Sequence, residues 1–367
     1  MDVDNKNYIF QLGNDQLTTK ATYYPAELEK FNFTTFYFSE DRSGLSKDTI
    51  QRENIEAKIA PNNLVKRWWE LLVLFTKRRP VAIELYLSQR PWHLFFYYLL
   101  ARLFRAKVVI WCRGELRNFK IHHPLRRFVN RLLLVSADRI LLRELYMKSI
   151  LIEEGIYRPN KTLFFPNAIP TRERQNNRQK VSDTILFLNS FKKFRNIELV
   201  IEATEILHKK FPSIKCNLVG STLDNQGYSP SSTEYEEMLR DMVRERGLSD
   251  VVSFYPFSSD RFEFFDDAFV FVLPADIVFC NYTLLEAMSN RMPAVVANTE
   301  GADLIVDDGL TGFVVERDAA DIASAIEKLY VSALLRDKMG EASRDKIIKD
   351  YNVASRAKVL AGIFGGV

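Results

Sequence analysis

The sequence predicts an α/β protein made of two doubly wound, Rossmann-like domains that face a central cleft. Three observations carry this. Short apolar runs bounded by turn residues alternate with segments of helical period, the pattern of parallel βαβ units. At 367 residues the chain is long for one core. A polar stretch at 171–183, Thr-Arg-Glu-Arg-Gln-Asn-Asn-Arg-Gln-Lys-Val-Ser-Asp, divides the runs into two sets. Hydrophobic content of 47% beside 27% charged residues fits a soluble globular chain.

Residues 7–12 read as the first strand, and Gly13-Asn14-Asp15 as the turn after it. A second strand lies at 33–38. An amphipathic helix at 62–78 holds Trp68 and Trp69. A short strand at 82–86, a strongly apolar helix at 91–106 and strands at 107–111 and 139–142 follow. Phe164-Phe-Pro-Asn-Ala-Ile-Pro170 closes this half. The second half opens with a strand at 184–188, a helix at 196–210 and a strand at 215–219 ending at Gly220. A helix at 232–246 stops at Gly247. Strands at 251–254, 269–273 and 294–297 and helices from Ala319 complete it. The domains expected are 1–170 and 171–350, with residues 351–367 a helix packing back on the first.

The most informative stretch joins the strands at 269–273 and 294–297. It reads Pro274-Ala-Asp-Ile-Val-Phe-Cys-Asn-Tyr-Thr-Leu-Leu-Glu286-Ala-Met-Ser-Asn-Arg-Met-Pro293. A loop that opens a helix presents free N–H groups and the positive end of the helix dipole, a setting for a diphosphate. A carboxylate within that helix can accept hydrogen bonds from sugar hydroxyls. The alternative is an ordinary helix with a solvent-facing Glu286. Asp307-Asp-Gly-Leu-Thr-Gly312 is a turn feeding another strand.

These motifs resemble those of the retaining glycosyltransferases of the GT-B fold, in particular family four, the glycosyl transferases group 1. The resemblance rests on Leu273-Pro-Ala275, Leu284-Leu-Glu-Ala-Met288, Met292-Pro-Ala-Val-Val296 and Asp308-Gly-Leu-Thr-Gly312. Phe165-Pro-Asn-Ala-Ile169, the segment 186–203 and Arg113-Gly-Glu-Leu116 extend it over nearly the whole chain. It implies sugar transfer from a nucleotide-sugar donor, with retention, to a glycan or lipid-linked glycan acceptor. The setting it implies is bacterial surface polysaccharide, such as O-antigen or capsule. Glu286 would bind the ribose. Gly13, Asn14, Ser190, Lys192, Lys193, Arg195 and the N–H groups around Asn281, Tyr282 and Thr283 would hold the donor. Arg195, with Arg113 and Glu115 on the turn after strand 107–111, would act in catalysis. No metal or cofactor is expected, and Asp2-Val-Asp4 at the start of the chain is not read as a metal site.

This chain departs from the family pattern at chemically important positions. The family's first glutamate, eight positions before Glu286, is Val278 here, and its diphosphate-binding Arg aligns with Ser190. Three explanations stay open at this point. The donor lacks a hydroxyl there, Asp276 or Asn281 takes the contact, or the chain binds without turning over. The last makes it a non-catalytic module that binds or scaffolds an active transferase. A sugar epimerase on the same fold also stays open, although its sugar-binding carboxylates and histidines are not apparent.

Residues 61–150 carry 18 Lys and Arg against 5 Asp and Glu, so the rest of the chain is net acidic. Lys66-Arg-Trp-Trp69, Lys77-Arg-Arg79, the run 92–107 and Arg126-Arg127 put cations beside aromatics. Such helices favour an anionic membrane surface, expected here through residues 66–131. The alternative is a buried apolar face with a solvated basic rim. Nucleic acid is not expected as a partner, because no recognised motif accompanies the charge. Three scattered cysteines and no signal peptide or apolar span suggest a cytoplasmic protein, peripheral on the inner face of the plasma membrane.

Overall fold

The computed structural model describes residues 7–12, 23–39, 54–87, 91–112, 123–171, 182–220, 223–224, 227–228, 230–256, 262–278 and 280–365. The chain divides into two compact units. One comprises Met1–Pro166 with Val353–Val367, the other Asn167–Asn352.

The first unit holds seven described strands. They are β1 (Asn7–Leu12), β2 (Phe33–Ser39), β3 (Ile55–Ile59), β4 (Ala82–Tyr86), β5 (Lys107–Cys112), β6 (Arg139–Leu142) and β7 (Thr162–Phe164). Their order is β3-β2-β1-β4-β5-β6-β7, with every pairing parallel. The order reverses between β1 and β4, the switch point of a doubly wound sheet. Helices Leu64–Arg78, Pro91–Leu103 and Pro124–Ser136 cover one face, contributing Leu71, Phe75, Leu94 and Leu133 to its core. The other face is covered by the helices Tyr23–Leu28 and Val353–Phe364. There Ala357, Leu360 and Phe364 pack with Ile9, Phe33 and Trp111.

One polar group lies inside this second face. Glu84, in the middle of β4, is buried. It accepts hydrogen bonds from Gln11 Nε2 on β1 at 2.5 Å and from Trp111 Nε1 on β5 at 2.8 Å. Burial pushes its carboxyl up to about 7, although both hydrogen bonds act the other way.

The second unit repeats the plan. Its main strands are β8 (Thr184–Leu188), β9 (Lys215–Gly220), β12 (Val252–Pro256), β13 (Val270–Leu273), β14 (Ala294–Ala297) and β15 (Gly312–Val315). They are ordered β12-β9-β8-β13-β14-β15 and all parallel. A small antiparallel ribbon pairs β10 (Leu223–Asp224) with β11 (Gly227–Tyr228). The switch point here is β8/β13. Both faces are covered, so β13 and β14 are buried at every residue and read as unbroken apolar runs.

Several elements escape the sequence reading, including the helices Tyr23–Leu28 and Tyr146–Glu153, the strand β7, the β10/β11 ribbon and the three that follow. β3 is a five-residue edge strand whose outer residues Lys58 and Ile59 are exposed, so only part of it is apolar. The helix Pro124–Ser136 buries Val129, Leu133 and Leu134 but also exposes large apolar side chains, which blurs its period. The helix Phe262–Asp266 is a little over one turn long.

Candidate functional site

The switch point of the second sheet brings two loops together. One runs from β8 through Asn189 to Asn196, where the helix Ile197–Lys210 starts. The other leaves β13 at Pro274 and enters the helix Tyr282–Ser289. Ligands of open α/β sheets bind beyond the carboxyl ends of strands at such a point.

Asparagines tie the loops together. Asn196 sits in the left-handed region at φ 51°, and its Nδ2 donates to Pro274 O at 2.9 Å and to Asp276 Oδ1 at 2.8 Å. Asn189 Nδ2 donates to Thr283 Oγ1 at 3.3 Å. The backbone N–H of Asp276 donates to Phe194 O at 2.9 Å. Beneath the first loop, a Cβ on Gly220 would sit 2.1 Å from Asn189 O and 2.7 Å from the Phe191 ring. Only glycine lets β9 approach so closely.

Arg195 is the cation of this junction. It is half-buried, with its guanidinium 4.8 Å from the Phe194 ring centre. Nη1 donates to Ile277 O at 3.4 Å, while the buried Nε has no partner. No carboxylate among the described residues pairs with it. Burial lowers its pKa to about 10, so it stays charged at neutral pH. A partly desolvated guanidinium without a counterion is poised for an anion. Lys192 is partly buried and Lys193 exposed on the same short turn. The Ser190 N–H donates to Asn189 Oδ1 at 2.9 Å.

Asn281 caps the helix Tyr282–Ser289. Its Oδ1 accepts from Thr283 N–H at 3.0 Å, Leu284 N–H at 3.4 Å and Thr283 Oγ1 at 2.7 Å. These two N–H groups are therefore engaged by the cap, and an anion here would compete with Asn281 for them. Before the cap, Cys280 has φ 46°. Asn167, in the segment Phe165-Pro-Asn-Ala-Ile169, donates from Nδ2 to Cys280 O at 2.6 Å. Glu286 follows one turn into the helix and is buried, which sets aside the solvent-facing alternative.

Val278 is fully buried, so its side chain lies in the core. Asp276 forms an ion pair with Arg317 besides its bond from Asn196. The turn Asp307–Gly312 consumes its own polar groups. Thr311 Oγ1 accepts from Asp307 N–H at 2.9 Å, Asp308 Oδ1 accepts from Val314 N–H at 2.9 Å, and Lys346 pairs with Asp307. That motif shapes the entry to β15.

Gly13, Asn14, Arg113 and Glu115 lie outside the described residues, as does Asp2-Val-Asp4. The strands that lead to the first four end at Leu12 and Cys112. One position earlier, Gln11 and Trp111 are both bound to Glu84. Sequence reasoning missed the asparagines Asn167, Asn189 and Asn196 and the buried Glu84. An asparagine just after a strand and a lone Glu inside an apolar run were the available signals. Among the described residues, no three His, Cys, Asp or Glu side chains come together to hold a metal.

The family described as Glycosyl transferases group 1 matches residues 169–346. A putative glycosyltransferase EpsD of Bacillus subtilis is 28% identical over 171 residues, 46% of this chain and 42% of the relative. The capsular polysaccharide biosynthesis glycosyltransferase CapM of Staphylococcus aureus is 27% identical over 161 residues, 44% of this chain and 40% of the relative. These matches span less than half of each curated relative. Among solved structures, Anabaena Alr3699/HepE in complex with UDP has a TM-score of 0.78 at 14% identity, covering 98% of this chain and 100% of that one. The same Anabaena protein in complex with UDP-glucose has a TM-score of 0.74. The chain thus has the GT-B fold.

Proposed function

We propose, from the match of residues 169–346 to the family described as Glycosyl transferases group 1, that the chain is a retaining glycosyltransferase using a nucleotide-sugar donor. The acceptor is a glycan or lipid-linked glycan of bacterial surface polysaccharide, a reading supported by CapM among the relatives. The donor reading is supported by the Anabaena structure with UDP-glucose. The observation that carries it is Arg195 at the β8/β13 switch point, a half-buried cation with no carboxylate partner among the described residues.

In the reaction the bond from the anomeric carbon to the diphosphate breaks. A bond forms from the acceptor hydroxyl oxygen to the same face of that carbon, and the hydroxyl proton leaves. Negative charge builds on the departing diphosphate. Arg195, with Lys192 or Lys193, offsets it with fixed positive charge in a partly desolvated setting. Glu286 holds the nucleoside from the neighbouring helix through the ribose hydroxyls. From the resemblance, Glu115 is proposed to take the acceptor proton and Arg113 to act in catalysis; both lie outside the described residues.

Thermal-shift and calorimetric titration with uridine, guanosine and thymidine diphosphates and their sugars tests this. At least one should raise the melting point. A ligand at a hundred times its Kd contributes about 2.7 kcal/mol. Arg195→Ala should weaken that ligand by about tenfold or more, the loss of a charge-assisted contact of roughly 1.5–3 kcal/mol. If none of the nucleotides binds, or Arg195→Ala binds as tightly as the parent, the reading fails. The burial of Val278 favours keeping the second reading, a non-catalytic module. That protein would bind the nucleotide sugar and release no nucleoside diphosphate with any acceptor.

A further inference from the structure

On the face of the first unit covered by the helices Leu64–Arg78, Pro91–Leu103 and Pro124–Ser136, more apolar surface is exposed than the fold requires. A helix that has buried one stripe normally turns polar residues outward. The helix Pro124–Ser136 does not. Leu125, Phe128, Leu132 and Val135 recur along its outer side, and Phe128 is 62% exposed. Its neighbour Pro91–Leu103 exposes Leu103 at 72%, and the helix Leu64–Arg78 exposes Trp69 at 66%. The three helices adjoin one another. Trp68 stacks on Phe96 with ring centroids 4.4 Å apart, and Pro91–Leu103 packs against Pro124–Ser136. An exposed apolar surface drawn from three adjacent helices marks an interaction site.

Its charge says what kind. Lys66 lies three residues before Trp69, and Lys77 is exposed near the end of the same helix. The three helices carry a single carboxylate, Glu70, and Lys58 pairs with it at 3.0 Å. Three carboxylates of neighbouring elements are also engaged: Glu56 by Arg78, Asp138 by Arg102 and Glu154 by Arg127. A two-fold pairing of this face with a second copy would set cations against cations with little to offset them. An anionic surface would instead meet both features. We propose that this face docks on the interface of an anionic lipid bilayer. Its aromatic and aliphatic side chains enter the headgroup boundary, and Lys66 and Lys77 face the headgroups. Among the described residues no helix is long and apolar enough to cross a membrane, so the mode is surface attachment. This inference does not depend on the donor site.

Co-sedimentation with vesicles of phosphatidylcholine alone, and with phosphatidylglycerol added, tests it. The chain should bind the anionic vesicles, and salt should weaken the binding. Trp69→Ser with Phe128→Ser, and separately Lys66→Glu with Lys77→Glu, should each reduce the partition coefficient by about tenfold or more. These side chains are exposed, so both pairs should keep the parental melting point and nucleotide affinity. Equal binding to both vesicle types overturns the proposal, and so does no binding at all. Full binding by the charge-reversed pair also overturns it. A dimer in solution that Trp69→Ser with Phe128→Ser dissolves, with no vesicle binding by the parent, assigns the face to a second copy instead.

Discussion

At the residue scale the two switch points hold opposite charges in unlike ways. Arg195 is charged and has no carboxylate partner among the described residues, whereas Glu84 is a buried acid with two donors and a carboxyl raised to about 7. A carboxyl raised on folding favours the folded state when protonated. Its contribution is therefore full below the unfolded value near 4.5, declines as pH rises, and levels off above about 7. Glu84→Gln should remove that decline and make the variant more stable than the parent at pH 8 by about 3 kcal/mol. Urea unfolding at pH 5 and pH 8 measures it, and an equal parental stability at both would refute the assignment. At pH 5 a protonated Glu84 can donate to Gln11 if that amide turns its oxygen, which otherwise lacks a partner, toward it. In the second unit, Glu286→Gln should weaken the bound nucleotide about tenfold or more, as loss of a charged acceptor does. An unchanged calorimetric titration would take Glu286 out of the ribose site. Glu286 was legible as a motif residue. The burial of Val278 was not, because an apolar residue in an apolar run lies equally well in a core or a pocket wall.

At the element scale, the loops after β8 and β13 are held by caps and close approaches rather than by regular structure. Asn281→Ala removes the acceptor for two N–H groups of helix Tyr282–Ser289 and should cost about 1 kcal/mol of stability. Gly220→Ala is a harsher change, since its Cβ meets the Asn189 carbonyl at 2.1 Å. It should cost about 1–3 kcal/mol and displace the loop that carries Arg195. Nucleotide affinity should therefore fall along with the melting point, while a parental affinity would mean the loop does not depend on this contact. The buried parallel strands β8, β13 and β14 were legible because covered sheets demand unbroken apolar runs. The strand β3 and the helix Pro124–Ser136 were not, because a partly exposed edge and an apolar outer surface both erase the expected alternation.

At the scale of the whole molecule, the first unit is discontinuous in sequence. Helix Val353–Phe364 supplies Ala357, Leu360, Ala361 and Phe364 to the core around Ile9 and Trp111. Phe33 and Phe364 meet edge to face at 5.8 Å. Ending the chain after Asn352 should uncover that core and lower the melting of the first unit, while nucleotide binding in the second persists. Differential scanning calorimetry with and without nucleotide separates the two, and an unchanged thermogram would deny the helix its role. The sequence by itself determined the class of fold, because apolar period and turn residues are local properties. The resemblance of its motifs to a known family also supplied Glu286 and Arg195 as candidates. Tertiary structure alone decided that Arg195 lacks a carboxylate partner among the described residues, that Asp276 is spent on Arg317, that Glu84 is buried between β1 and β5, and that three helices leave an apolar face uncovered. Burial and pairing depend on which distant segments pack together, and no local pattern records that.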